Sequence, residues 1–112
     1  MKRALAVMVA CATCATLAAV ASSATTRSIK IGDNYFVRSS GVPVITVTRN
    51  TRVTWRWTGD SLHDVRVSSG PVKFKSKVQT SGTYSRTMRR AGTYTIVCRV
   101  HSGMKMRLRV TR

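Results

Sequence analysis

Four side chains that could bind a metal ion stand in one arrangement: His63, Cys98, His101 and Met104. The last three follow the spacing Cys-x2-His-x2-Met, and His63 precedes Cys98 by 35 residues (98 − 63). Two imidazoles and one thiolate in a trigonal plane, with a weak axial thioether, suit copper that alternates between Cu(I) and Cu(II). Zinc is the competing metal, but a structural zinc site would use more Cys or His and would rarely use Met. The residue types and their spacing therefore predict one copper ion bound by these four side chains.

The axial position has a second candidate in Met106, which follows His101 by five residues (106 − 101). Met104 fits the shorter spacing, and Gly103 directly before it would let the loop turn. An alternating strand pattern begins directly after Met104, and Met106 falls on the apolar face of that strand. We therefore expect Met104 to be the axial ligand and Met106 to be a core residue.

The segments that must position these donors have the pattern of β-strands. Glycines recur at roughly ten-residue spacing between short runs rich in Val, Ile, Thr, Tyr and Trp, which is typical of an all-β sandwich. Residues 52–57 alternate strictly, with Val53, Trp55 and Trp57 predicted to face inward. Residues 104–110 alternate in the same way, with their basic residues facing outward. The sequence predicts an all-β fold in which residues 70–82 form a long connection between two sheets.

Three motifs stand together in this chain: Trp55-Arg56-Trp57, His63-Asp64-Val65 and Gly92-Thr93-Tyr94-x3-Cys98-x2-His101-x2-Met104. Their combination resembles the cupredoxins of the plastocyanin and azurin type. The resemblance covers roughly residues 29–110, and the short ligand loop is similar to that of the amicyanin-like subgroup. It implies a Greek-key β-sandwich of about seven to eight strands with a type 1 copper site at one end. In the family an Asn follows the first His and ties the two ligand loops together, whereas this chain has Asp64 at that position.

The first 24 residues have the layout of a secretory signal peptide. Lys2 and Arg3 precede a long uncharged run, and small residues lead up to a cleavage site near Ala24. We expect a signal peptide over residues 1–24 and a copper-binding domain over residues 25–112. The domain would then be exported to a periplasm, to the cell envelope or to the medium.

Residues 1–24 have two alternative interpretations besides a signal peptide, and their removal would leave a single cysteine. Residues 1–24 could instead be retained as a membrane anchor, or Cys11 or Cys14 could belong to a lipoprotein signal. Removal of this segment would leave Cys98 as the single cysteine. Because exported proteins usually pair their cysteines, a lone Cys98 is either a buried inert thiol or a metal ligand.

The charge of the chain is strongly positive. The 112 residues include 20 Lys and Arg against 3 acidic residues, for a formal net charge of +17. Only Asp33, Asp60 and Asp64 are acidic, which argues against a paired-carboxylate active site and against an all-oxygen cation site. Such a charge indicates a nucleic acid, an anionic lipid or an acidic partner. No nucleic-acid-binding motif is present, so we interpret the charge as solubility and steering toward an acidic docking face or an anionic envelope surface.

These observations favour a one-electron carrier that meets redox partner proteins. By analogy with the family, electrons would pass through a partly exposed His101, within a small docking patch formed by Ser102, Gly103 and Gly41-Val42-Pro43. An enzyme is not expected, because the four donors leave no open position for a substrate. The alternatives are a copper chaperone or storage module without electron transfer, and a secreted polyanion-binding protein. Without Lys2 and Arg3 the charge is still +15 (17 − 2), and this self-repelling surface favours a monomer.

Overall fold

The computed structural model describes residues 25–112, which form eight β-strands. The predicted signal peptide, residues 1–24, lies outside the described residues. Within residues 25–112 no helix has the length and hydropathy needed to cross a membrane. The strands are β1 (Thr26–Gly32), β2 (Tyr35–Phe36), β3 (Val44–Thr48), β4 (Thr51–Trp57), β5 (Arg66–Ser69), β6 (Gly82–Met88), β7 (Gly92–Val97) and β8 (Lys105–Thr111).

The strands form two four-stranded sheets, with the orders β2-β1-β4-β6 and β3-β8-β7-β5. Strand β1 runs parallel to β4, and β3 runs parallel to β8, whereas the other neighbouring strands are antiparallel. The chain changes sheet at every connection from β2 to β7, so the loops collect at the two ends of the sandwich. This architecture confirms the predicted Greek-key β-sandwich.

The core lies between the inward faces of the two sheets and follows the predicted alternation. Along β4, Val53, Trp55 and Trp57 are buried, and Arg56 between them is exposed. Along β8, every second side chain is likewise buried while the basic residues face water. Burying one large aliphatic or aromatic side chain stabilises a fold by about 1.5–3 kcal/mol. Burial of these two faces therefore stabilises the sandwich, and the sandwich in turn positions the loops at its two ends.

Residues 70–81 connect β5 of one sheet to β6 of the other, as the sequence predicts. Phe74 in this connection is buried, and its ring centroid lies 5.9 Å from that of Trp55. Lys75 pairs with the backbone of Arg66 in an isolated bridge. The connection thus closes one side of the sandwich between the edge strands β5 and β6.

We predict that Leu108→Ala, which truncates a buried core side chain, lowers the free energy of unfolding strongly. Leu108 is fully buried on β8, between Ile45 of β3 and Tyr94 of β7 in the strand register. We expect the free energy of unfolding to fall by about 2–5 kcal/mol, because the substitution leaves a cavity. Guanidinium denaturation followed by tryptophan fluorescence measures the change.

The matched control is Val44→Ala on β3, the strand that pairs with β8. This substitution truncates a side chain that is 48% exposed. This variant should stay within about 0.5 kcal/mol of the parent protein. Equal losses in the two variants would contradict the assignment of the core face of β8.

Candidate metal centre

His63 is fixed in place by its backbone. It lies between β4 and β5, where its N–H donates to the Gln79 carbonyl and its carbonyl accepts from the Gln79 N–H, both at 3.0 Å. The same carbonyl accepts a hydrogen bond of 3.1 Å from the indole Nε1 of Trp57. The imidazole is 1% exposed. A buried tryptophan of β4 and the connection between the sheets therefore hold this ring at one end of the sandwich.

Cys98 and His101 lie on the short loop that joins β7 to β8. The loop is closed by hydrogen bonds from Cys98 N–H to the Met104 carbonyl, at 3.1 Å, and from Met104 N–H to the His101 carbonyl, at 3.3 Å. Gly103 has a φ of +82°, which side chains with a Cβ rarely adopt. The glycine thus permits the turn that the sequence predicted before Met104.

The structure brings His63, Cys98 and His101 together as one cluster. The Cys98 Sγ lies 3.9 Å from Nδ1 of His63 and 3.9 Å from Nδ1 of His101. The three donor atoms all lie within 4.8 Å of one another. Two of the predicted ligands thus come from one loop, and the third comes from a segment 35 residues earlier, at the same end of the sandwich.

The spacing of the three donor atoms fits one bound copper ion. A metal bonded to sulfur at about 2.3 Å and to nitrogen at about 2.05 Å holds the two atoms about 3.8 Å apart at a trigonal angle. A tetrahedral angle would bring the same two atoms to about 3.6 Å. The observed 3.9 Å separations are of the size that a shared metal ion requires, and one thiolate with two imidazoles is a copper donor set. The cluster therefore fits a single type 1 copper site.

The two methionines occupy different structural positions. Met104 is 4% exposed and belongs to the ligand loop, through its backbone bonds to Cys98 and His101. Met106 is fully buried within β8, where it pairs with Ile96 of β7. Met106 is therefore a core residue, as expected. The assignment of Met104 as the axial ligand stays a prediction, which its place in the loop supports.

Asp64 ties the two ligand loops together, and it does so with a partner that the sequence analysis missed. Its carboxylate is completely buried and accepts a hydrogen bond of 2.8 Å from the Arg99 backbone N–H. The Arg99 side chain adds an ion pair, with Nε at 2.9 Å from the second carboxylate oxygen. Arg99 directly follows Cys98, so the negative charge of Asp64 is neutralised beside the thiol. Only the position of Arg99 in the ligand loop signalled this role.

Asp33 is a second acidic residue at the site that the sequence analysis did not connect with it. Its Oδ1 lies 3.4 Å from Nε2 of His63, the ring nitrogen opposite the one that faces Cys98. The backbone N–H groups of Ser61 and Asp60 donate to this carboxylate and hold its pKa below the usual value of 3.8. Asp33 follows β1, so no spacing rule along the chain relates it to His63.

The metal end of the sandwich presents apolar side chains to solvent. His101 is partly exposed, as expected, and Val100 beside it is 45% exposed. Val42 and Leu62, which the flanking loops carry, are exposed to a similar degree. The expected docking patch needs one correction, because Pro43 is buried and its carbonyl accepts a hydrogen bond from Arg107 N–H. We define the apolar rim as Val42, Leu62 and Val100.

Comparison with known proteins links this architecture to copper proteins of known structure. No protein-family model matches the sequence, and no curated protein matches it either. A Cu(I) form of an amicyanin variant matches with a TM-score of 0.62 and 22% identity, over 76% of this chain and 81% of that chain. An oxidised amicyanin variant matches with a TM-score of 0.58 and 25% identity, over 83% of this chain and 87% of that chain. The chain has the cupredoxin fold of the amicyanins.

A larger protein contains the same fold. The copper-containing nitrite reductase of Thermus scotoductus matches with a TM-score of 0.64 and 21% identity, over 80% of this chain. The chain spans 22% of the length of that reductase. The cupredoxin fold predicted from the ligand motif is thereby confirmed, together with its amicyanin-like short loop.

The cross-loop ion pair predicts that Arg99→Ala destabilises the metal-free protein. Loss of the guanidinium leaves the Asp64 carboxylate with its backbone donor alone in a buried position. We expect the free energy of unfolding to fall by about 1.5 kcal/mol, the lower end for hydrogen bonds to charged groups, because Arg99 is half exposed. Chemical denaturation in the presence of a chelator measures this change.

Arg107→Ala is the matched control, since it removes an equally charged, exposed side chain from the outward face of β8. It should change stability by less than about 0.5 kcal/mol. If both variants lose the same amount, net charge and not the bond to Asp64 sets the effect.

Proposed function

We propose that this cupredoxin is a one-electron carrier with a type 1 copper site formed by His63, Cys98, His101 and Met104. The observation that supports it best is the pair of 3.9 Å separations between the Cys98 sulfur and the two imidazole nitrogens. A copper ion held there would supply one-electron chemistry, through the Cu(II)/Cu(I) couple. The amicyanin structures that share this fold include both a Cu(I) form and an oxidised form.

The protein side of this function is a rigid arrangement of donors. Hydrogen bonds to Gln79 and Trp57 hold His63, and the bond to Asp64 ties the Cys98 loop to it. Cys98 would supply a thiolate that stabilises Cu(II), and Met104 would supply a weak axial thioether donor. Because the donors cannot relax freely, one geometry serves both oxidation states and little reorganisation accompanies electron transfer.

Electrons would enter and leave at the apolar rim. His101 is the ligand with partial exposure, whereas His63 and Cys98 are buried. Val42, Leu62 and Val100 around this end give a partner a small apolar area, in keeping with weak and transient redox encounters. We propose a partner with an acidic docking face, since Arg38 and Arg99 are exposed in loops at this end and Lys105 is exposed at the start of β8. The large positive charge would speed such an encounter at low ionic strength.

We further propose that the chain is a carrier and not an enzyme. The nitrite reductase shares the fold over 22% of its own length, so its reaction belongs to a much longer chain. In the described residues the metal-binding groups form the single cluster of His63, Cys98 and His101. Export, through a signal peptide over residues 1–24, and a monomeric state complete the proposal.

The first test is the colour of the copper-loaded protein. The purified protein with Cu(II) should be blue and should show a narrow parallel hyperfine splitting in electron paramagnetic resonance, because the Cys98 thiolate binds Cu(II) in a trigonal plane. The colour should disappear on reduction and return on oxidation, which distinguishes a carrier from a Cu(I) chaperone. Cys98→Ser should abolish the colour. A colourless wild-type protein, or an ordinary tetragonal Cu(II) spectrum, would overturn the type 1 assignment.

The second test separates the two methionines. Met104→Leu should keep the blue colour and raise the reduction potential, because removal of an axial donor weakens Cu(II) binding. Met106→Leu conserves apolar volume at a fully buried core position and should leave the potential unchanged. Protein-film voltammetry measures both. The opposite result, with the shift in the Met106 variant, would assign the axial position to Met106.

A further inference from the structure

One imidazole of the cluster is contacted by a carboxylate from a different part of the fold. Nδ1 of His63 faces the Cys98 sulfur at 3.9 Å, and Nε2 of the same ring lies 3.4 Å from Oδ1 of Asp33. Asp33 belongs to the turn between β1 and β2 and stands 30 positions before His63. One nitrogen of the His63 ring therefore faces the other proposed metal ligands, and the opposite nitrogen faces the Asp33 carboxylate.

The position of this carboxylate is itself fixed. Asp33 Oδ1 accepts hydrogen bonds of 3.0 Å from the backbone N–H groups of Asp60 and Ser61, and Oδ2 lies 3.2 Å from Asp60 N. Gly59 leaves the space that the Asp33 carboxylate occupies, because a Cβ at that position would collide with the carboxylate. The loop that carries His63 thus leaves room for a side chain from the neighbouring turn and binds it through two backbone donors.

We propose that Asp33 is a positioning residue for His63 that sets its tautomer and strengthens it as a copper donor. A carboxylate beside Nε2 keeps the ring proton on that nitrogen and leaves the Nδ1 lone pair free for the metal. A negatively charged acceptor on the Nε2 side also makes Nδ1 a stronger electron donor to the metal, which favours Cu(II) more than Cu(I). This inference rests on the proposed copper site and adds a residue that controls its reduction potential.

The charge of Asp33 acts through this hydrogen bond and not through space. Its side chain is 44% exposed, so water and salt screen its field at longer range. Asp60 is also an exposed acid in the His63 loop, but its carboxylate makes no hydrogen bond to His63 in the described residues. The two residues therefore form a matched pair, in which one acid contacts the ligand and the other does not.

The test compares Asp33→Asn, Asp33→Ala and Asp60→Asn. The Asn variant keeps an Oδ1 acceptor for the two backbone donors and for His63, and it removes only the charge. The Ala variant removes the acceptor as well. Asp60→Asn removes the same charge from the same loop without touching the ring. Each variant is examined both with copper and as the metal-free protein.

With copper, Asp33→Asn should stay blue and should lose about tenfold in Cu(II) affinity relative to Cu(I) affinity. That ratio corresponds to a rise of about 59 mV in the reduction potential for one electron. Asp33→Ala should show a larger change in the same direction. Asp60→Asn should shift the affinity ratio by less than about twofold, because a screened charge without contact has little influence.

Without metal, nitrogen NMR of the imidazoles reads the tautomer directly. In the parent protein and in Asp33→Asn, His63 should carry its proton on Nε2, and in Asp33→Ala both tautomers should appear. A role limited to holding the loop would change stability and leave the tautomer and the potential as they are.

The outcomes separate this inference from the proposed function. A wild-type protein that is not blue overturns the copper proposal, whatever the NMR result. Blue variants with the potential of the parent protein, or equal shifts in Asp33→Asn and Asp60→Asn, overturn the role of Asp33 and leave the copper proposal intact. The appearance of both tautomers in the Ala variant, together with the raised potential, supports it.

Discussion

The structure depends on one geometric requirement: a single sulfur must stand 3.9 Å from two imidazole nitrogens that come from different loops. Neither loop can satisfy this requirement by itself, because His63 and Cys98 belong to connections that begin in opposite sheets. The two sheets must therefore pack in one register before the cluster exists. The buried apolar side chains between the sheets supply that packing within residues 25–112, and the strands set the positions of the loops that join them.

Hydrogen bonds orient the side chains and loops of the site, which apolar packing alone does not orient. The core is non-directional, so it can bring two loops to one end of the sandwich without orienting an imidazole ring. Directional bonds do the rest, and they come from Trp57, Gln79, Asp64 and Asp33. Burial strengthens the effect at Asp64, because a buried acceptor that loses its donor carries the full cost of desolvation. The buried carboxylate of Asp64 is tolerated because Arg99 supplies both a backbone and a side-chain donor.

The sequence predicts this fold well where a pattern repeats along the chain, and it fails where a contact depends on distant segments. The alternation in β4 and β8 is local, so the buried faces with Trp55 and Leu108 follow from it. The ligand cluster is predictable because only a few soft donors exist and their spacing is characteristic. The contacts of Asp33 and Arg99 are different, since each joins residues at least 30 positions apart and nothing local marks them. The burial of Pro43 likewise depends on β8, with which its carbonyl forms a hydrogen bond.

Acidic and basic residues occupy different parts of the fold. All three acidic residues of the chain belong to the metal end: Asp64 and Asp33 contact the ligand loops, and Asp60 lies within one of them. Basic residues instead occupy outward strand positions such as those of β8, where each alternates with a buried apolar neighbour. Cations on such positions stay hydrated and are screened from one another by salt, so they cost little stability. The partly exposed His101 therefore lies in a loop with the exposed Arg99 and Val100, at an end of the sandwich where apolar, basic and acidic side chains all reach the surface, so the approach of a redox partner is not governed by the net positive charge alone.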